Sequence, residues 1–259
     1  MQLGDAAVQK SRFSSRYTLL FIAALSFVTA LILSTLSLYL KKPTAKAKTL
    51  HLAKEMLNAA HLPFDTPLRA QRRAKKTFKP IFVDDKGAIE KALSFKDPLS
   101  EPLTMMQQRL IAWEIHPPSQ EKRLGYLIPI QGEGLWGPML GFVAVRADGN
   151  TVIGISWVDH KETPGLGATM ADPKWQKQFR GKKLFQTENG SLEEKQTCPL
   201  GLIVVKGKVQ DVFADDPCKE SAVDGITGAT LTGRAITRAY REGLEPYRPF
   251  LMRLHENIK

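Results

Sequence analysis

One unbroken apolar run stands out near the start of the chain. Residues 17–40 contain no charged side chain across 24 positions. As a helix, such a segment is about 36 Å long, which is enough to cross a hydrocarbon core of about 30 Å. The pattern therefore predicts one N-terminal transmembrane helix.

A cleaved signal peptide is the alternative interpretation, because Ala45-Lys46-Ala47 loosely resembles a cleavage site. The apolar part of a signal peptide is only about 7–15 residues long, so the length of the run favours an uncleaved anchor. Tyr17 and Tyr39 lie at its two ends, as interfacial aromatic residues do.

Short apolar runs typical of β-strands begin near residue 124. Three strands are predicted over 124–130, 140–146 and 151–158. The sequence Asp148-Gly149-Asn150 predicts a hairpin turn between the last two. A fourth strand is predicted over 200–206, paired with the short stretch 209–213.

Helical spacing of apolar residues appears in two places. A short helix is predicted over 50–60, and a C-terminal helix is predicted from about Leu231 to Glu245, where Pro246 stops it. These elements predict an α+β fold, in which one transmembrane helix precedes a single domain with a twisted antiparallel sheet and flanking helices. The predicted boundaries are a tail at 1–16, the transmembrane helix at 17–40, a linker with the first helical elements at 41–100, and the main domain at 101–259.

The charge distribution argues against a nucleic-acid partner. The formal net charge is +11, and residues 1–48 hold seven basic side chains and one acidic side chain. More than half of the excess therefore flanks the apolar run, where membrane topology explains it better than a phosphate-binding surface does. Three of these basic residues precede the run and four follow it, so charge bias alone leaves the orientation open.

The two cysteines, Cys198 and Cys218, are too few for a disulfide scaffold or a four-cysteine zinc site. A disulfide between them and two separate thiols both remain open, because sequence does not fix their distance. The chain has no G-x-S-x-G, H-E-x-x-H or P-loop motif. We therefore predict no catalytic residue and no metal site.

The segment Gly132–Gly137 has the spacing G-x-G-x-x-G, but it is not followed by a helix. A dinucleotide fingerprint requires that helix, so we predict no NADH site here. The glycines and Trp136 instead favour a loop that closes over a flat ligand. A tryptophan buried in the core is the alternative.

The segment Asp224–Arg234 is rich in threonine and glycine. Asp224-Gly225 favours a tight turn, and a helix is predicted to begin just past Thr230. A threonine at the start of a helix suits an anion such as phosphate, because free N–H groups and the positive helix end point towards it. The alternative is an ordinary N-cap threonine.

This segment resembles the D-x-x-[ST]-G-A-T flavin-attachment motif. The matching residues are Asp224, Thr227, Gly228, Ala229 and Thr230. The motif marks the FMN-binding domain family shared by the C subunit of the Na⁺-translocating NADH:quinone reductase and the G subunit of the Rnf complex. The resemblance implies FMN joined through its phosphate to the hydroxyl of Thr230, with Asp224 shaping or activating the site.

Two more segments resemble the same family in the same order. Glu162–Gly167 resembles its E-T-P-G-L-G block, and the sequence after it, from Asp172 to Lys183, resembles the pattern that follows that block. The residue types allow Glu162 to accept a hydrogen bond from a ring N–H or a ribityl hydroxyl; a solvated loop carboxylate is the alternative. The resemblance implies that the flavin is lined by Trp136, Met139, Glu162, Thr163, Gly165 and Leu166.

The resemblance implies a membrane-anchored flavoprotein that relays electrons within a Na⁺-pumping NADH:ubiquinone oxidoreductase. Its partners would be the A, B, D, E and F subunits of that complex, with a flavin transferase for maturation. The expected location is the bacterial inner membrane, with the domain on the periplasmic side. Two alternatives remain, the equivalent flavin subunit of an Rnf-type complex and a colourless, non-redox anchored binding module. The Asp172-Pro-Lys-Trp175 sequence and the Gly-Lys-Lys sequence after it favour the quinone reductase over the Rnf complex.

Overall fold

The computed structural model describes residues 15–91, 95–118, 122–186 and 198–257. The chain divides into two compact units, Met1–Lys48 and Thr49–Lys259. Most of the predicted N-terminal tail, residues 1–14, lies outside the described residues.

The first helix, α1, runs from Ser15 to Ala59. It is long and apolar enough to cross a membrane, and its large apolar side chains from Tyr17 to Leu40 are exposed. Pro43 lies inside this helix. Residues 41–59, predicted as part of a linker with the first helical elements, are helical in the structure.

The second unit is built around a six-stranded antiparallel sheet with the strand order β2-β1-β3-β4-β5-β6. Its strands are β1 Phe78–Val83, β2 Ile89–Lys91, β3 Leu110–Ile115, β4 Gly125–Glu133, β5 Pro138–Arg146 and β6 Val152–Asp159. The other helices described are α2 Pro67–Thr77, α3 Pro173–Gln176, α4 Val209–Val212, α5 Thr230–Leu244 and α6 Arg248–Glu256.

Both faces of the sheet are covered by helices. Side chains of a strand alternate between faces, so Tyr126 and Ile128 of β4 pack with α5 and α6, while Leu127 packs with the end of α1 and with α2. The central strands β4 and β5 are buried along most of their length for this reason. The antiparallel sheet with flanking helices confirms the predicted α+β fold.

The predicted hairpin between residues 140 and 158 is confirmed, with the turn at Asp148-Gly149-Asn150. The segment at 41–100, in contrast, holds more than a linker and helices, because β1 and β2 lie within it and form one edge of the sheet. The alternation of apolar and polar residues in these two short strands is weak, and β1 contains Pro80, a residue that disfavours a strand prediction.

The predicted pairing of 200–206 with 209–213 is wrong. The strand β7, Ile203–Val204, pairs in parallel with β8, Ala222–Val223, and residues 209–212 form the helical turn α4. The carboxylate of Asp224 accepts a hydrogen bond from the Val209 N–H at 2.9 Å. This contact satisfies the start of the turn, so the segment needs no strand partner there.

Candidate functional site

Three chain segments meet around the start of α5. The β4–β5 hairpin presents the loop 134–137, the chain leaving β6 supplies residues 162–167, and β8 leads directly into residues 224–230. The sequence predicts that all three segments belong to one site, and the contacts described below join them.

Helix α5 begins at Thr230, as predicted to within one residue. Its N-cap residue is Ala229, and among the described residues no side-chain hydrogen bond caps this end of the helix. The interpretation of Thr230 as the N-cap residue is therefore wrong, since Thr230 is the first residue inside the helix. Its partly exposed side chain lies at the positive end of the helix dipole, which favours an anion.

The turn before the helix depends on small residues. Gly228 has φ +75°, a left-handed conformation that glycine adopts at little cost. A Cβ atom at this position would lie 3.0 Å from Cδ2 of Leu166, so the turn packs closely against the 162–167 segment. Thr227 and Gly228 are exposed, while Ala229 is buried.

The carboxylate of Glu162 connects the loop 134–137 to the first turn of α5. Its side chain is only 5% exposed, so the alternative of a solvated loop carboxylate is wrong. Its Oε1 accepts a hydrogen bond from the Leu135 N–H at 2.7 Å and a longer one from the Trp136 N–H at 3.4 Å. Its Oε2 accepts one from the Thr232 hydroxyl at 2.6 Å.

Two glycines make room for this carboxylate. A Cβ atom on Gly134 would lie 2.5 Å from Glu162 Oε1, and one on Gly167 would lie 2.5 Å from Oε2. The added atom on Gly134 would also lie 3.1 Å from Met139 Cγ. Met139 is therefore placed beneath the loop 134–137, where it is almost fully buried.

Exposed apolar side chains surround the start of α5. Trp136 is 65% exposed, so the alternative of a core tryptophan is wrong. Two further large exposed apolar residues on the three segments are Leu135 and Leu166, and a third, Leu231, lies in the first turn of α5. Large apolar side chains left in water on several neighbouring segments are typical of a ligand-binding or interaction surface.

The E-T-P-G-L-G segment forms a tight turn. The carbonyl of Thr163 accepts hydrogen bonds from the N–H groups of Leu166 and Ala168, and Gly165 has φ +76°. Thr163 and Gly165 are exposed at the tip of this turn. The turn places Leu166 next to Gly228 and leaves Glu162 pointing into the protein.

Asp224 stabilises the start of the segment 224–230, not the end that carries Thr230. Its carboxylate accepts hydrogen bonds from the Val209 N–H and from Lys208 Nζ at 3.1 Å, and its carbonyl accepts one from Trp175 Nε1 at 3.1 Å. Desolvation alone would raise the pKa of Asp224, but these hydrogen bonds and the Lys208 charge outweigh it and hold the pKa below its ordinary value.

The disulfide between Cys198 and Cys218 is present, with the Cα atoms 5.6 Å apart. Both cysteines are buried. The bond ties the chain entering β7 to the 3₁₀ turn Pro217–Ser221 that leads into β8. The segment that carries residues 224–230 is thus covalently fixed just upstream.

Thr232, Leu135 and Leu231 also lie at the site, and the sequence did not predict them there. Thr232 follows Thr230 on the helix and is 1% exposed. Its partner Glu162 lies 70 residues earlier, so no local pattern connects the two. The only sequence feature that could have indicated Thr232 is the threonine-rich segment Thr227–Thr232.

The described residues fit a flavin mononucleotide. The uncapped start of α5 suits a phosphate, and the exposed apolar side chains around it suit a flat aromatic ring. Gly165, at the tip of the 162–167 turn, faces open space, because no atom of the described residues lies within 4 Å of a Cβ position there.

Comparisons with known proteins lead to a flavin-binding family. The FMN-binding domain family matches residues 134–245, a range that begins at the loop 134–137 and ends with α5. Two relatives, each named as the C subunit of a Na⁺-translocating NADH-quinone reductase, match over almost the full length. The protein from Chlamydia pneumoniae is 32% identical over 91% of both chains. The protein from Haemophilus ducreyi is 31% identical over 89% of this chain and 91% of its own.

A relative of the same name from Chlamydia muridarum is 50% identical over 125 residues, which is 48% of this chain. The matched part spans only 39% of that relative's length. Among solved structures, NqrC from Shewanella oneidensis superimposes with a TM-score of 0.64 at 26% identity, over 82% of this chain and 99% of its own. The C subunit from Parabacteroides distasonis has the same TM-score at 23% identity, over 82% of this chain and 96% of its own, and shows the fold alone.

Proposed function

Because the chain belongs to the family formed by the C subunit of the Na⁺-translocating NADH-quinone reductase, we propose that it is a membrane-anchored flavoprotein subunit with FMN esterified to Thr230. The flavin would supply one- and two-electron transfer, and the protein would hold the ring within reach of its redox partners. The near-full-length relatives favour this complex over an Rnf-type complex.

The observation that carries the proposal is the position of Thr230 at the first turn of α5. Its partly exposed hydroxyl lies at the end of the D-x-x-T-G-A-T residues, where the helix N–H groups have no side-chain cap. A phosphate on this oxygen would meet the positive end of the helix. Gly228 has no side chain and Ala229 has only a methyl group, which would leave a transferase access to the hydroxyl. Asp224 would stabilise the chain that leads into the turn, and Thr227 would form an exposed part of the turn.

The ring would lie against the exposed apolar side chains beside Thr230. Trp136 and Leu166 present such side chains from the two facing loops, and Met139 supports the loop that carries Trp136. The turn Thr163–Gly165 would border the ring with backbone atoms. We assign no metal and no catalytic residue to this site.

Two features support the proposed location, the helix α1 and the disulfide. The exposed apolar part of α1 around residues 17–40 would anchor the chain in the bacterial inner membrane, followed by a flavin domain from about residue 49. Disulfides persist in oxidising compartments, so the Cys198–Cys218 bond supports a periplasmic domain. Residues 17–40 contain no carboxylate, so the Na⁺ path is assigned to the A, B, D, E and F subunits.

The test is the mass of the full chain purified from cells that make a flavin transferase. We expect an excess of one FMN moiety, located by fragmentation on the peptide with Thr230, and lost in Thr230→Ala. Thr237→Val is the matched control, because it removes a hydroxyl from the same helix away from the site. A bare Thr230 under these conditions would leave only an anchored, colourless binding module.

A further inference from the structure

We propose that Glu162 and Thr232 form a buried latch that fixes the loop 134–137 to the first turn of α5. In this role both are positioning residues, and neither needs to touch the flavin. The consequence for the flavin rests on the function proposed above, whereas the latch itself is a property of the polypeptide.

The geometry of the latch joins elements that are distant in sequence. One oxygen of the Glu162 carboxylate accepts the Leu135 N–H, 27 residues earlier, and the other accepts the Thr232 hydroxyl, 70 residues later. Both side chains are almost completely buried. A buried carboxylate is stable only when its oxygens are hydrogen-bonded, so each contact supports the other.

Within the part of the chain that the structure describes, few other contacts hold the loop 134–137. Within the loop, Gly134 N–H binds the Gly137 carbonyl at 2.8 Å. The side chains of Leu135 and Trp136 are exposed and therefore contribute little packing. The hydrogen bonds to Glu162 are thus the contacts that tie the middle of the loop to the body of the domain.

The surroundings leave no simple substitute for the Thr232 hydroxyl. Gly134 and Gly167 enclose the carboxylate so closely that even a methyl group on either would lie 2.5 Å from an oxygen. Without the hydroxyl, Oε2 loses its donor, and the carboxylate must turn towards water to recover one. That movement would release the Leu135 N–H and loosen the loop.

For a flavin on Thr230, the latch sets the distance between the ring's point of attachment and one of its walls. Thr232 lies two residues from the attachment point on the same helix turn, and Trp136 lies one residue from the bound Leu135. The wall is therefore positioned before any flavin arrives, which lowers the ordering cost of holding the ring.

The test is amide hydrogen exchange on the full chain in detergent. We expect Thr232→Val, which keeps the side-chain shape, to speed exchange at Leu135 about 10- to 150-fold, as expected for one hydrogen bond to a charged group. Thr232→Ser keeps the hydroxyl and should restore slow exchange. Thr237→Val is the matched control on the same helix: it should speed exchange at Val204, whose N–H binds the Thr237 hydroxyl, and leave Leu135 unchanged.

Repeating the comparison in the Thr230→Ala background separates the two proposals, because this chain cannot carry the ester. Faster exchange at Leu135 in Thr232→Val with a bare Thr230 in the wild-type chain would support the latch and overturn the flavin assignment. If exchange at Leu135 is unchanged in Thr232→Val while the wild-type chain carries FMN, the latch alone is overturned. Failure of Thr232→Ser to restore slow exchange at Leu135 would overturn it as well. Exchange in β4 and β5 reports whether each variant is folded.

Discussion

At the scale of single residues, the site depends on glycines at three positions and on one buried carboxylate, that of Glu162. Gly228 allows the turn before α5, and Gly134 and Gly167 allow a carboxylate to sit between two loops. Thr230 was predictable because a turn followed by helical spacing marks the start of a helix. The Glu162–Thr232 contact was not, because it joins residues whose neighbourhood exists only after the sheet and helix have packed.

Gly228→Ala should impair the site through both the backbone and a contact. An alanine at φ +75° is strained by about 1–2 kcal/mol, and its Cβ would press on Leu166 at 3.0 Å. We expect a lower free energy of unfolding in denaturant and a smaller flavin-bearing fraction by mass. Gly181→Ala is the control, since Gly181 has φ +80° with no atom within 4 Å of the new Cβ. Equal flavin occupancy in the two variants would contradict a role for the Leu166 contact.

At the scale of elements, the strands with clear alternation and turn residues were predictable and the short ones were not. The turn sequence Asp148-Gly149-Asn150 predicts the hairpin β5–β6, and the helical spacing of apolar residues predicts α5. The strands β7 and β8 have two residues each and pair in parallel although they are well separated along the chain. Two-residue strands carry no usable period, so their partners are decided by tertiary contacts such as the one from Asp224 to Val209.

Asp148 in the β5–β6 turn should make the free energy of unfolding fall at acidic pH. Burial alone would raise the pKa of Asp148, but hydrogen bonds from Thr151 and Asn150 and the charge of Lys183 outweigh it, so its pKa lies below the ordinary value. A carboxyl with a lowered folded pKa contributes stability above its unfolded pKa of about 3.9, and this contribution is lost as the pH falls through the folded pKa.

Asp148→Ala should therefore lower the free energy of unfolding by about 1–3 kcal/mol at pH 7, with the deficit narrowing below about pH 4. Denaturant unfolding of the detergent-solubilised chain at several pH values measures both. Asp85→Ala removes an exposed carboxylate and should change stability by less than about 0.5 kcal/mol. A deficit that does not narrow at all in acid would show that the Asp148 charge is not involved.

At the scale of the whole molecule, the chain combines an apolar N-terminal helix with a domain closed by one disulfide. The sequence could not decide whether Cys198 and Cys218 form a disulfide, because the distance between them is a property of the fold. In the structure both sulfurs lie in the interior beside the chain that leads into the flavin motif. Charge bias did not decide the orientation of the proposed membrane anchor, and the disulfide supplies an independent argument for a periplasmic domain.

Thiol counting in acid-quenched cells tests that orientation. The chain has only two cysteines, so a periplasmic domain should show no thiol that reacts with a maleimide before reduction and two after it. Two reactive thiols without reduction would place the domain in a reducing compartment. The purified Cys198→Ala/Cys218→Ala variant should also lose about 3 kcal/mol of stability, given a 20-residue separation, and reduction of the wild type should match that loss.

The uneven burial of the four tryptophans gives the protein a built-in optical label. Trp113, Trp157 and Trp175 are enclosed, and Trp136 alone is open to solvent. A small collisional quencher such as acrylamide in the buffer would therefore reach one indole, and that indole lies on the loop 134–137, beside the site proposed for the flavin. Since isoalloxazine absorbs where indole emits, ultraviolet emission from Trp136 would fall as each chain acquires its pigment, so cofactor loading can be followed without any added dye.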